Sequence, residues 1–248
     1  MINIKTPEEI EKMKISGKLL AGVFKELLKE VGPGIKTGEL DRLAFKLIKK
    51  MKAKPAFLNF KGYPKTICTS VNEQVVHGIP GNYKLSAGDL LSIDAGVSWN
   101  GYFSDMAVTV GIGKQPEENR KLMKVTKEAL KKGIEKMVPG NKLYDISAAI
   151  QRHVEENGFS VVRDLAGHGI GLSLHEEPQI PNYGEPATGP VLQKGMVFAI
   201  EPMVNMKGYG IRTLNDKWTV VTMDGQPSCH FEHTVAIMEN GPEILTKA

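Results

Sequence analysis

Cysteine is scarce: Cys68 and Cys229 are the only two in 248 residues, and no Cys-x-x-Cys spacing offers a structural zinc or a redox pair. Each reads as a small buried hydrophobe. Long apolar runs are missing too. No window is long and uncharged enough to span a bilayer, and Met1-Ile2-Asn3-Ile4-Lys5-Thr6-Pro7-Glu8-Glu9 lacks the apolar core of a signal peptide. A cytoplasmic protein without membrane association is expected. Nor is there an excess of one charge: 32 basic and 28 acidic residues leave +4. The one dense basic group, Lys49, Lys50, Lys52 and Lys54, follows a helical pattern, where cations suit the C-terminal end of the dipole, so a solvated helix end is favoured over a nucleic-acid surface. What remains is the composition of one large globular domain, or of two halves sharing a core.

Thr6-Pro7-Glu8-Glu9 carries a capping box with proline at the first helical position, and Ile10, Met13, Gly17, Leu20, Ala21, Phe24, Leu27, Leu28 and Val31 follow at helical spacing up to Gly32-Pro33-Gly34. A second helix should start near Thr37, with Leu40, Leu43, Ala44, Leu47 and Ile48 as its buried stripe. Pro116-Glu117-Glu118 opens a third, which Pro139-Gly140 ends, and a fourth carries Leu143, Ile146, Ile150 and Val154 to a left-handed cap at Gly158. Between and after the helix pairs, extended segments are expected over Thr66 to His77, Gly195 to Val204, Trp218 to Met223 and Phe231 to Met238.

The stretch Asp89 to Val110 reads as a strand, a turn and a returning strand. With Ser98-Trp99-Asn100-Gly101 as a four-residue loop, Val97 faces Tyr102 and Asp94 falls directly opposite Asp105. Like charges so opposed are unstable unless one is exposed, a proton is shared, or a cation lies between them. An ordinary hairpin with one solvated Asp is the plainer alternative.

The two halves of the chain match in kind and order. Pro33-Gly34-Ile35-Lys36-x-x-Glu39-Leu40 recurs as Pro139-Gly140-Asn141-Lys142-x-x-Asp145-Ile146, and Gly88 to Val97 recurs as Gly195 to Val204, aligning Ile93-Asp94 with Ile200-Glu201. Asp105-x-x-Val108 and Glu232-x-x-Val235 continue the match at a longer offset. These repeats point to an internal duplication, a single domain over 1–248 built from 1–113 and 114–248. If corresponding strands meet at a shared centre, Asp94, Asp105, Glu201 and Glu232 converge. Four carboxylates stay ionised together only with one or two divalent cations among them. Glu201 in particular sits in the apolar run Met196-Val197-Phe198-Ala199-Ile200, where a glutamate needs a partner.

His168, in Ala166-Gly167-His168-Gly169-Ile170-Gly171, His175, in Leu174-His175-Glu176-Glu177-Pro178, and His77, in Val76-His77-Gly78-Ile79-Pro80, are candidate partners of such a site. A lone histidine in these settings also serves as a plain core residue. His153 on a helix, and His230 and His233 beside Glu232, are read that way.

These motifs together give the chain a resemblance over nearly its whole length to the type I methionine aminopeptidases of the bacterial kind, in peptidase family M24: Val76-His77-Gly78-Ile79-Pro80, Ile93-Asp94 with Asp105, Gly167-His168-Gly169-Ile170-Gly171 with His175, Ala199-Ile200-Glu201-Pro202 and Phe231-Glu232-His233-Thr234. The resemblance implies an α+β pita-bread fold of two pseudo-symmetric halves, antiparallel sheet covered by helices. It implies two divalent ions, from among Co, Mn, Fe and Zn, held by Asp94, Asp105, His168, Glu201 and Glu232. By the same analogy a hydroxide bridging the ions attacks the first peptide carbonyl, Glu201 shuttles the proton, and His77 and His175 hold the substrate amide. Phe57, Phe60, Tyr63, Cys68, Leu174 and Trp218 stand where the family encloses the methionine side chain. Phe57 and Phe60 fill places that other members give to Cys and Tyr, so pocket shape differs while substrate class does not.

The implied activity is excision of initiator methionine before a small second residue, from nascent polypeptides and hence near the ribosome, by a monomer. Two other readings stay open. One is an X-Pro metallopeptidase of the same fold, which usually carries a further N-terminal domain. The other is a non-catalytic binding module.

Overall fold

In the computed structural model, residues 2–247 are described. From the N-terminus, α1 (Pro7–Glu30) and α2 (Thr37–Lys50) precede the strands β1 (Lys54–Pro55), β2 (Cys68–Val71), β3 (Gln74–Val76), β4 (Leu90–Trp99) and β5 (Tyr102–Gly111). Then α3 (Glu117–Ile134) and α4 (Leu143–Glu156) precede β6 (Ser160–Val161), β7 (Ala166–Gly169), β8 (Glu176–Pro181), β9 (Val197–Ile200), β10 (Met203–Asn205), β11 (Ile211–Thr213), β12 (Val220–Thr222), β13 (Ser228–His230), β14 (Glu232–Met238) and β15 (Gly241–Ile244). The main sheet is antiparallel in the order β1-β4-β5-β14-β9-β7-β8, with β2 also on β4 and β15 on β14. Two three-stranded sheets, β13-β10-β6 and β11-β12-β3, flank it.

Strand periodicity separates a helix-covered face from a polar one. Leu91, Ile93, Ala95 and Val97 of β4 join Leu20, Phe24, Leu27, Leu40, Ala44 and Ile48 in the core beneath α1 and α2. Phe198, Ile200, Val235 and Ile237 of β9 and β14 join Leu122, Val125, Ile146 and Ile150 in the core beneath α3 and α4. The alternate residues of the same strands, Asp94, Ala199 and Thr234 among them, face away from both.

The repeated segments are built alike. Gly34 and Gly140 adopt left-handed backbones, φ 97° and 94°. Their N–H groups donate to Leu85 and Leu192 carbonyls. Lys36 and Lys142 each make an isolated bridge, to Lys84 and Val191. In both copies the acid three residues on, Glu39 or Asp145, accepts the N–H of that lysine at 2.8 or 2.7 Å and satisfies an orphan donor at the helix start.

Several expectations need correction. The β4–β5 turn is two residues, Asn100-Gly101, not four. Both have positive φ, 48° and 84°, as a hairpin of matching twist requires. The register therefore pairs Trp99 with Tyr102, Asp94 with Ala107 and Gly96 with Asp105, so Asp94 and Asp105 are diagonal rather than opposed. Leu28 is 36 % exposed and Val31 lies past the end of α1. Helix α3 stops at Ile134, and turns lead on to Pro139. The Gly195 to Val204 segment is two strands broken at Glu201-Pro202, where proline has no N–H to give the ladder. Thr66 to His77 is likewise two strands, joined at Asn72 with φ 55°. No helix among the described residues is long and apolar enough to cross a membrane.

Candidate metal centre and substrate cleft

The polar face of the main sheet forms the floor of a cleft of about 780 Å³, and every residue singled out from the sequence lines it. Register explains the convergence. Ala107 of β5 pairs with Asp94 on one side and with Glu232 on the other, while Cys68 pairs with Asp94 from β2. One step beyond the His233–Ile200 pair, the β14–β9 register brings Glu201 opposite Glu232. One row across the sheet thus reads Cys68, Asp94, Ala107, Glu232, Glu201. The next row on the same face reads Gly96, Asp105, Thr234, Ala199, His168. Asp105 and Thr234 are joined through the threonine hydroxyl, which accepts the Asp105 N–H and donates to its carbonyl, both at 2.8 Å. Ala107 thus separates Asp94 from Glu232, and Thr234 with Ala199 separates Asp105 from His168, small side chains that leave space between the ligating atoms, while Glu232 and Glu201 stand side by side.

Asp105, His168 and Glu232 each offer one atom within 4.8 Å of the others. His168 Nε2 lies 4.0 Å from Asp105 Oδ2 and 3.6 Å from Glu201 Oε1. Its Nδ1–H is engaged by the Gly169 carbonyl at 2.9 Å, which fixes the tautomer with the Nε2 lone pair toward the acids. Gly167 and Gly169 permit this close approach, since a Cβ on either would fall 2.5 Å from Ala199 O or 2.2 Å from Glu177 O.

Burial, and for most of them the neighbouring acids, raise the proton affinity of these carboxyls. Burial, then Asp105 and Glu201, push Asp94 well above the usual carboxylate range. Burial and Asp105 do the same to Glu201, and burial with Asp105, Glu201 and Asp94 to Glu232. Asp105 rises by burial only to about 7, because the Met106 N–H and the Asp94 carboxyl donate to it. Burial drives His168 down to about 3. Asp94 Oδ1 and Glu232 Oε1 are buried with no hydrogen-bond partner. Unpaired buried oxygens beside raised carboxyls and a neutral imidazole lone pair are the donor set of a divalent cation, and the residues fit one.

Beside the acids the cleft is aromatic. Tyr63 and Trp218 meet edge to face at 5.1 Å, as do Trp218 and His77 at 6.4 Å and His175 and His168 at 4.2 Å, while the Phe60 and His175 rings lie tilted at 5.2 Å. Phe57, Cys68 and Leu174 form the buried wall. The Tyr63 hydroxyl donates to the carbonyls of Ile67 and Gly78 at 3.1 Å, so its ring edge and not its polar tip borders the cleft. His77 follows β3 at φ 60°, an unusual backbone for a residue other than glycine and one that functional sites often carry. Burial lowers its imidazole; burial, Lys61 and His77 lower that of His175.

A family model described as metallopeptidase family M24 matches residues 11–239. The chain belongs to that family. Within it, the chain is 54 % identical to a methionine aminopeptidase of Clostridium perfringens over 99 % of both chains, and 51 % identical to methionine aminopeptidase 1 of Bacillus subtilis over the full length of each. The crystal structure of a Thermotoga maritima methionine aminopeptidase covers both chains completely at TM-score 0.98 and 48 % identity. A prolidase from Pyrococcus furiosus matches at TM-score 0.80 and 28 % identity, but the chain spans only 65 % of it. The fold is the pita-bread fold of this family, and M24 membership makes divalent-metal use a property of the chain.

Two groups of residues in this M24 peptidase escaped the sequence reading. Arg163, Asp164, Leu165 and Tyr183 also line the cleft, and Arg163 lies over the Tyr183 and Tyr209 rings at 5.5 and 4.6 Å. Nothing in their spacing marks them. His230 is buried with its Nε2 3.5 Å from Glu201 Oε2, and here a signal existed: on a strand, a residue two before Glu232 shares its face.

Proposed function

We propose that the chain removes N-terminal methionine from nascent polypeptides whose second residue is small. The observation that carries this is the joining, in one cleft, of a buried carboxylate-imidazole cluster to an aromatic recess ending at Trp218, Tyr63 and Phe60. An unbranched thioether suits such a recess through sulfur–aromatic contact. Asp94, Asp105, His168, Glu201 and Glu232 would hold two divalent ions, drawn from Mn, Fe, Co and Zn, whose hard-to-borderline character suits four carboxylates and one imidazole. Bound ions supply Lewis acidity toward the scissile carbonyl and lower the pKa of a water to about 7.

The protein's own groups do the rest. Glu201, ionised when it holds the ions, would take the proton of the attacking water and hand it to the departing amine. His77 and His175, neutral and lying on either side of the recess, orient the scissile amide and donate to charge developing on its oxygen. The recess walls, Phe57, Phe60, Tyr63, Cys68, Leu174 and Trp218, exclude water and hold the side chain. Residues 1–248 act as one catalytic domain built from repeats 1–113 and 114–248, a reading supported by the twin helix starts at Lys36 and Lys142. The remainder of the reading is a cytoplasmic monomer that meets its substrates near the ribosome.

Metal-stripped protein, assayed on Met-Ala-Ser and on X-Pro dipeptides while Mn, Fe, Co and Zn are added in turn, tests this. Release of methionine that requires an ion is the expected result. Preference for X-Pro would replace the reading with the prolidase-like one. Metal stoichiometry near zero would favour a binding module, and full activity in excess chelator would end the metal mechanism.

A further inference from the structure

His230 takes no part in the chemistry described above, yet it is held in place with care. It is 1 % exposed. Its N–H donates to Thr109 Oγ1 at 2.9 Å and its carbonyl accepts from the same hydroxyl at 2.7 Å, so both backbone groups are fixed. Its register partner on β10 is Met203, in the line of pairing that brings Glu201 opposite Glu232. His230 and Glu232 therefore share one face, and Glu201 is the diagonal neighbour of His230.

Both ring nitrogens of His230 lack a hydrogen-bond partner, an expensive condition for a side chain so buried. Nε2 stands 3.5 Å from Glu201 Oε2, while Glu201 Oε1 stands 3.6 Å from His168 Nε2. The Glu201 carboxylate thus lies between two imidazoles, one oxygen toward each. His168 cannot serve it as a donor, because the Nδ1–H of that ring is given to Gly169 and its Nε2 is a lone pair. Among the described residues, His230 Nε2 is the nitrogen placed to give Glu201 a hydrogen bond. A neutral imidazole has one N–H to place. On Nδ1 it would be orphaned; the one O–H of a protonated Glu201 has the His168 Nε2 lone pair, 3.6 Å from Oε1, to go to, which leaves Oε2 an acceptor. On Nε2 it meets an acceptor and leaves only a lone pair unpaired.

We propose that His230 is a positioning residue for Glu201: its Nε2–H donates to Oε2 and so turns Oε1 toward His168 and the other acids before any ion binds. The proposal rests on Glu201 belonging to the metal and proton-transfer centre proposed above. It does not require that the substrate be a methionyl peptide.

Three variants and the metal-free wild type test it. Nitrogen-15 NMR of the metal-free protein labelled at histidine should show His230 as the Nε2–H tautomer; the Nδ1–H tautomer would overturn the proposal. His230→Leu removes the donor, His230→Gln returns an N–H near the Nε2 position, and His230→Asn returns one near Nδ1. Calorimetric titration with Mn should show affinity lower by about 10–100-fold in His230→Leu and His230→Asn, with His230→Gln within about threefold of wild type. On Met-Ala-Ser, kcat should fall more than KM changes in the first two and recover in the third. Equal Mn affinity in all three variants, or equal rescue by Asn and Gln, would overturn it. Should His230→Leu fail to fold, the Gln–Asn pair and the tautomer still decide. If the wild type bound Mn but did not cleave Met-Ala-Ser, the functional reading would fail while the tautomer and the titrations still judged His230.

Discussion

Asp105 illustrates how differently four neighbouring acids are held. It receives two donors, from the Met106 N–H and the Asp94 carboxyl, and rises only to about 7. Asp94 Oδ1 and Glu232 Oε1 receive none. In the metal-free protein this has a thermodynamic sign. Folding raises the pKa of these carboxyls, so the folded state binds more protons than the unfolded one at neutral pH, and stability present at low pH is lost as pH rises through the folded values. The buried His168, His230 and His233 act oppositely, since burial pushes them to between about 3 and about 4 and their contribution is lost as pH falls below the unfolded value of about 6.5. Between pH 7 and 8.5 histidine is largely neutral in both states, and the acids decide. Chemical denaturation of metal-free protein should show stability falling across that window, by up to about 1.4 kcal/mol per pH unit for each proton retained, and saturating Mn should abolish the slope. A metal-free protein whose stability is flat or rising there would contradict the crowded-acid picture.

At the scale of elements, the β4–β5 hairpin shows why an incorrect register still placed Asp94 and Asp105 on one face. Reading four loop residues in place of two displaces the pairing by two positions, and because side chains alternate with a period of two, Asp94 and Asp105 keep the same face. A displacement of one would have sent Asp94 into the helix-covered core. The cost of the error was the site's finer geometry: Gly96, not Asp94, lies opposite Asp105, where a Cβ would come 2.9 Å from Ala56 Cβ and Phe57 Cε1. His230 was missed for a related reason. Starting the last long strand at Phe231 left His230 in a loop, whereas β13 ends on it. A three-residue strand is too short to show a period.

The loop that carries His175 is tied down by another element. Glu176 accepts from the Leu172 and Ser173 N–H groups, from Asn3 and from Lys5, whose side chain is 6 % exposed. Lys5→Met leaves Glu176 part-buried without its cation. The expected loss is about 3 kcal/mol in denaturant midpoint analysis, with a rise in KM as His175 loses its fixed setting. Unchanged stability and KM would show the strap to be incidental.

For the molecule as a whole, two helix-backed sheet halves meet along β5 and β14, and the cleft lies on the face that neither helix pair covers. That much was legible, because Pro-Gly-x-Lys with an acid three residues on, and Ile-Asp against Ile-Glu, repeat at nearly one offset, and backbone turns and buried charges tolerate few substitutes. The rim formed by Arg163 and Tyr183 was not legible, since cation–π contact joins residues from segments with no common period. Bound ions would also couple the halves, raising stability by about 2.7 kcal/mol at a hundredfold excess over the dissociation constant.

The central claim is that acids from both halves tolerate one another through shared ions. Anomalous diffraction from crystals soaked in Mn tests it most directly. The account predicts Mn peaks enclosed by Asp94, Asp105, His168, Glu201 and Glu232, whereas peaks confined to other parts of the surface, with these five side chains unmoved and unliganded, would contradict it.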